Sequence, residues 1–82
     1  MPSMIGSAPG APTVARVIGE LWARLGRNPT LSQLARELEC PEWALGRRVR
    51  SMVAADWCTW ERRRGITVTP RGRADLMSVG FE

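Results

Sequence analysis

The 82-residue chain has no lysine, no histidine and no tyrosine, one phenylalanine and two cysteines. Without histidine it lacks the usual general base and the commonest metal ligand, and Cys40 and Cys58 alone have no metal-binding spacing. We therefore expect no metal and no cofactor. No acid pair, serine motif or glycine-rich phosphate loop falls at a useful spacing, so an enzyme is not expected. Residues 1–12 show neither a basic n-region nor an apolar h-region, and the two cysteines are read as free thiols rather than a disulfide. The longest apolar run falls well short of the roughly 20 residues of a membrane span. The expectation is a cytoplasmic protein with no membrane partner.

What is present is ordinary in amount but uneven in placement. The apolar fraction of 44% and charged fraction of 24% are those of a folded globular domain, and the length allows one modest core. All twelve positive charges are arginine, giving a net charge of +4. Arginine's planar fork suits phosphate and guanine, while a GC-rich coding bias would equally leave a chain without lysine. Position says more than the total. Residues 1–46 carry four arginines and four acids, whereas residues 47–73 carry eight arginines against Asp56 and Glu61, a local charge of +6. A basic block on a folded domain fits a polyanionic partner, and it also fits a solvated face kept soluble by charge.

Residues 1–12, with three prolines, two glycines and two serines, read as a flexible leader, residues 13–79 as the domain and residues 80–82 as a tail. Val14, Val17, Ile18, Leu21, Trp22 and Leu25 form the stripe of an amphipathic helix over 13–25, capped by Thr13 and stopped at Gly26. Trp22 is assigned to the core. Asn28-Pro29 makes a turn, with a faint strand around Thr30 and Leu31, and Thr30 with Gln33 forms the capping box of a second helix whose inner face is Leu31, Leu34, Ala35 and Leu38. Pro41 sits in the first turn of a third helix, near 41–55, which turns Leu45, Val49, Met52 and Val53 inward. The period then changes to two. Cys58 and Trp60 alternate with Thr59 and Glu61, Arg62 to Gly65 makes the turn, and Ile66 and Val68 alternate with Thr67 and Thr69, which is a hairpin tipped by three arginines. Thr69-Pro70 caps a brief last helix through Ala74, Leu76 and Met77.

The fold class expected is mainly α with a small β-hairpin. In this order of elements, Leu31-Ser32-Gln33-Leu34-Ala35-Arg36-Glu37-Leu38, Leu45-Gly46-Arg47-Arg48-Val49-Arg50-Ser51-Met52 and the hairpin exit Ile66-Thr67-Val68-Thr69-Pro70-Arg71-Gly72-Arg73-Ala74-Asp75-Leu76 resemble the winged helix-turn-helix superfamily. Within it, the likeness is to MarR-like and PadR-like bacterial or phage transcriptional regulators, over residues 13–77. The Thr-Pro-x-Gly-Arg run is its most specific part. Asp56 departs from the glycine common before the first wing strand, and the long dimerising helices of MarR-type regulators are missing.

The resemblance implies sequence-specific binding of double-stranded DNA, with the third helix in the major groove and the wing on the minor groove or phosphates. Arg47 is the first candidate for base readout, followed by Trp43 and Arg50, with Gly46 and Ser51 on the same helix. Trp43 fits a thymine methyl or a sugar, and equally a core place under the second helix. Arg48 fits a phosphate contact or an ion pair with Glu37. Gly46 allows close approach of a ligand or tight packing on the second helix. Arg62, Arg63 and Arg64 fit the minor groove or phosphates, or simply discourage edge pairing. Arg71 and Arg73 add phosphate contacts. One module reads few base pairs, so a homodimer or partner protein is expected. The alternative is a protein-interaction module of the same fold, which four tryptophans and many arginines would also suit.

Overall fold

The computed structural model describes residues 8–79, and its first helix, α1 (Ala11–Leu25), starts earlier than the apolar stripe alone implied. Gly10 is its N-cap and Pro12 lies in its first turn, where a missing N–H costs nothing and a fixed φ suits the helix. Ala8 and Ala11 pack against the core, so residues 8–12 belong to the folded unit and the Thr13 cap is replaced by Gly10. The remaining leader residues 1–7 and the tail residues 80–82 lie outside the described residues. Val14, Ala15, Val17, Ile18 and Leu21 of α1 are buried.

Both halves of the expected capping box open α2 (Leu31–Leu38): the Gln33 N–H donates to Thr30 Oγ1 at 3.2 Å and the Thr30 N–H to Gln33 Oε1 at 3.0 Å. Three residues later comes α3 (Glu42–Ala54), with Pro41 as its N-cap. Two strands follow, β1 (Cys58–Glu61) and β2 (Gly65–Val68), paired antiparallel with Cys58 opposite Val68 and Trp60 opposite Ile66. A last helix, α4 (Pro70–Val79), completes a small α+β domain of four helices and one two-stranded hairpin among the described residues. No helix of the described residues is long and apolar enough to cross a membrane.

The core lies where α1, α2 and α3 meet the inner side of the hairpin. Val14, Ile18, Leu34, Leu45, Val49, Cys58 and Ile66 are its most deeply buried side chains. The alternation read in the strands holds: Cys58, Ile66 and Val68 are buried, and Thr59 and Glu61 are exposed. Thr69 joins the hairpin to α4. Its hydroxyl donates to the Asp56 carbonyl at 2.6 Å and accepts the Gly72 N–H at 2.9 Å, and its own N–H donates to the Trp57 carbonyl at 2.8 Å. Asp56, which stands where the resemblance leads one to look for glycine, takes the left-handed conformation with φ 64°. Aspartate tolerates that region better than most residues.

Three expectations are corrected by the packing. Trp22 is 56% exposed rather than core. It lies two turns beyond Ala15 on the same side of α1, where it borders an open groove with Thr67, Val68 and Arg73. Val53 is 40% exposed, because the helical repeat places it on the flank of α3, about 100° round from the buried Met52. The faint strand at Thr30 and Leu31 is absent, since Leu31 already begins α2. What remains of it is one bond from the Ile66 N–H to the Pro29 carbonyl at 3.0 Å. Proline has no N–H to return, so the ladder stops there.

Both cysteines are free, and Cys58 is buried. Burial pushes the Cys58 thiol up from 9.0 to about 11, and the half-buried Cys40 shifts in the same direction for the same reason. In the unfolded chain the Cys58 thiol ionises near 9, whereas the folded protein keeps its proton, so this stability is complete below pH 9 and is lost as pH rises through about 11. With neither lysine nor tyrosine in the chain, few other groups titrate in that window. The melting temperature should therefore fall from pH 9 to 11, by up to about 1.4 kcal/mol of stability per pH unit. Thermal melts of Cys58→Ala, less stable overall, should fall less steeply across the window, the remaining slope coming from Cys40. A wild-type curve no steeper than the variant's would show that the Cys58 thiol ionises freely in the folded state.

Candidate functional site

An α-helix that turns positions 45, 49 and 52 inward must turn 43, 47 and 50 outward. Trp43, Arg47 and Arg50 accordingly share the solvent face of α3, with Trp43 59% exposed. Trp43 is thus not a core residue under α2. The three side chains line an open groove of about 360 Å³, whose other wall is Trp60 of β1 and Leu31 of α2. Glu42, at the first turn of α3, also borders it, and one of its carboxylate oxygens accepts the Ser32 hydroxyl at 3.0 Å.

Gly46 lies between the two walls. It is buried, and a β-carbon there would meet Leu31 Cδ2 at 3.7 Å and Trp60 Cη2 at 3.9 Å, which is ordinary van der Waals contact. The position is enclosed by Leu31 and Trp60, with room for a methyl group. Trp60, Leu31 and Glu42 had not been singled out from sequence as site residues. The signal for Trp60 was available: strand alternation places it on the helix-facing side, at the register of Ile66.

Arg48 and Ser51 lie on a different flank of α3, beside Ala11 and Trp57. The half-buried Arg48 donates from Nε to the Pro9 carbonyl at 3.1 Å, tying the segment before α1 to α3. Its suggested partner Glu37 is instead paired with Arg24 at 2.8 Å. Arg48 therefore has a structural job, and neither it nor Ser51 borders the groove.

The three arginines at the hairpin tip are exposed on a turn that is anchored. The Asn28 side-chain amide donates to the Arg64 carbonyl at 2.9 Å. Gly65, with φ 81°, lies so close to the α1–α2 connection that a β-carbon would sit 2.7 Å from the Pro29 carbonyl oxygen. Only glycine meets both demands, and the turn is held relative to the helices as a result.

Arg71 lies 4.0 Å from Asp75, whose carboxylate also accepts the Trp57 indole N–H at 3.0 Å. Arg73 borders a separate groove with Ile18, Trp22 and Asn28, between α1 and β2. The arginines of α4 thus do not join the α3 groove.

Among the described residues the ion pairs engage Arg24, Arg64 and Arg71, and the Glu61–Arg64 contact at 3.6 Å is wide and exposed. Arg47, Arg50, Arg62 and Arg63 have no acidic partner within 4.0 Å among those residues. Two sets of unneutralised cations are therefore presented on rigid elements, one in an aromatic-walled groove and one on the hairpin whose β1 supplies a wall of that groove. Compared with protein-family models and with curated proteins, the chain matches none.

Proposed function

We propose that the protein is a winged helix-turn-helix module that binds double-stranded DNA and acts as a transcriptional regulator, with α3 in the major groove and the hairpin as its wing. The observation that carries this reading is the exposed face of α3, where Trp43, Arg47 and Arg50 stand beside a hairpin bearing Arg62, Arg63 and Arg64, most of them unpaired. A helix fits the major groove, and arginine is the side chain best suited to guanine edges and to phosphates. Because the Arg62–Arg64 turn is fastened through Asn28 and Gly65, it offers its charges in a fixed relation to the helices, as a wing must. Arg47 and Arg50 read bases in this scheme, and Arg62 and Arg63 meet phosphates or the minor groove. Arg48 supports the frame, and Arg71 and Arg73 add contacts at the edge. The working form is a homodimer or a complex with a partner protein, since one such module covers few base pairs.

The test is a pair of single substitutions measured on several duplexes. Arg47→Ala should lose about 1–3 kcal/mol of discrimination between sequences, whereas Arg63→Ala should weaken all duplexes alike. Equal, uniform losses from both would refute the division of roles.

A second reading, a protein-docking module, is favoured by the exposure of Trp43 and Trp22. Trp57, whose exposure would also have favoured it, is half-buried and hydrogen-bonded. A purified partner whose binding survives nuclease treatment and is lost in Trp43→Ala would support that reading over DNA.

A further inference from the structure

The groove beside α3 contains a carboxylate. Glu42 borders the same space as Arg47 and Arg50, and it is neither buried nor paired with an arginine within 4.0 Å among the described residues. Its Oε2 is held by Ser32 on α2, so the negative charge is positioned rather than free to swing away. A surface meant only to hold the phosphate backbone gains nothing from such a group, because like charges repel. Base edges are different. They present donors as well as acceptors, and the exocyclic amine of cytosine donates to a carboxylate.

The groove also has an apolar component that phosphate contact would not use. Trp43 stands exposed on one side and Trp60 with Leu31 forms the other, while Gly46 between them adds no side chain. The only strongly apolar feature of a base edge in the major groove is a methyl group on C5 of a pyrimidine, carried by thymine or by 5-methylcytosine. Donors, an acceptor and an apolar slot thus lie within one small groove.

We propose, resting on the DNA-binding reading above, that this groove recognises a 5-methylated pyrimidine next to a G·C pair. Arg47 and Arg50 donate to guanine O6 and N7, Glu42 accepts from the cytosine amine, and the methyl group lies between Trp43 and Trp60. Thymine followed by guanine and 5-methylcytosine followed by guanine both satisfy this chemistry.

The experiment uses the full chain and four repeating duplexes, measured by fluorescence anisotropy at one ionic strength. Thymine–guanine repeats are compared with the same repeats containing uracil, and 5-methylcytosine–guanine repeats with unmethylated ones. Repeats present the step in every register, and within each pair only the methyl group changes. The methylated member of at least one pair should bind about fourfold tighter, the worth of burying one CH2-sized group. Which pair shows the preference identifies the methyl source. Trp43→Ala, at an exposed position and with its melting temperature checked against wild type, should abolish the preference. Glu42→Gln should tighten binding to all four duplexes, and against a fifth, purely A·T duplex measured alongside them it should narrow the difference from the G·C-containing ones.

Binding to all duplexes with no methyl effect, or a preference that survives Trp43→Ala, would overturn this proposal and leave the DNA-binding reading standing. No binding to any duplex at low salt would overturn the DNA-binding reading itself. Weaker binding of Glu42→Gln to every duplex would show that the carboxylate supports the frame instead of reading a base.

Discussion

Raising monovalent salt from about 50 to about 200 mM is expected to weaken duplex binding by a factor of about 500, with little dependence on sequence. The figure follows from the arginines that the fold leaves without close acidic partners. If about five guanidinium groups of the hairpin and α4 each neutralise a phosphate, the displaced counterions give a log–log slope of about −4.5. Arg62, Arg63 and Arg73 are the leading contributors, with Arg64 only weakly engaged by Glu61 at 3.6 Å and Arg71 by Asp75 at 4.0 Å. Exposed pairs of that length are worth little and yield readily to a phosphate. Removing one phosphate-contacting cation, as in Arg63→Ala, should reduce the slope by about 1. Anisotropy titrations of one labelled duplex at four or more salt concentrations measure the slope directly. A flat response, or no binding at the lowest salt, would remove the polyanion from consideration and leave the docking reading.

Gly72→Ala should be among the most damaging single substitutions in the molecule. An added β-carbon would lie 2.2 Å from the Trp57 carbonyl oxygen and 2.9 Å from that residue's Cα and carbonyl carbon. Those are backbone atoms, and they are held at both ends. The Trp57 N–H donates to the Met52 carbonyl at 2.8 Å, and the Trp57 carbonyl accepts the Thr69 N–H at 2.8 Å. Nothing there moves cheaply, so α4 must shift off the hairpin and disturb the Thr69 cap and the Trp57–Asp75 bond with it. Overpacking of this kind costs about 1–3 kcal/mol, and more where the obstacle is rigid. In a domain this small that corresponds to a fall in melting temperature of roughly 4–24 °C. Gly19→Ala is the control, because its β-carbon would meet nothing within 4 Å and the change favours the helix by about 1 kcal/mol. Thermal melts of both variants separate steric from propensity effects. A Gly72→Ala protein melting within a few degrees of wild type would mean that α4 is not seated on Trp57.

Gly72 also gives the Thr-Pro-x-Gly run a physical reason. Thr69 closes the hairpin and caps α4, Pro70 starts that helix, and Gly72 lets its first turn lie against the backbone of Trp57, just before β1. Each residue in the run answers a separate steric or hydrogen-bonding demand.

Elements governed by neighbours in sequence were legible from the chain. The α2 capping box, the alternation of Cys58, Trp60, Ile66 and Val68, and the turn closed by Gly65 each depend on residues a few positions apart. The start of α1 was not, because Pro12 and the small residues around it read as a leader. Only their packing against the core shows that Ala8 and Ala11 belong to the domain. Trp22 failed for a related reason: periodicity says which side of a helix a residue occupies, not whether another element extends far enough to cover it.

The candidate site divides along the same line. That Trp43, Arg47 and Arg50 share a face follows from the helical repeat once Leu45, Val49 and Met52 are assigned inward. That Trp60 and Leu31 complete the groove, that Arg48 is drawn to Pro9, and that Arg73 lies by α1 depend on contacts between residues 15 to 55 positions apart. The order of helices and strands, the capping box of α2 and the concentration of arginine between residues 47 and 73 were determined by the sequence, through interactions local enough for its periodicities to encode. Which of those arginines stand together, and which are spent holding the frame, was decided by the tertiary structure. Side-chain partners distant in sequence are set by how the elements pack, and a linear pattern carries no record of that distance.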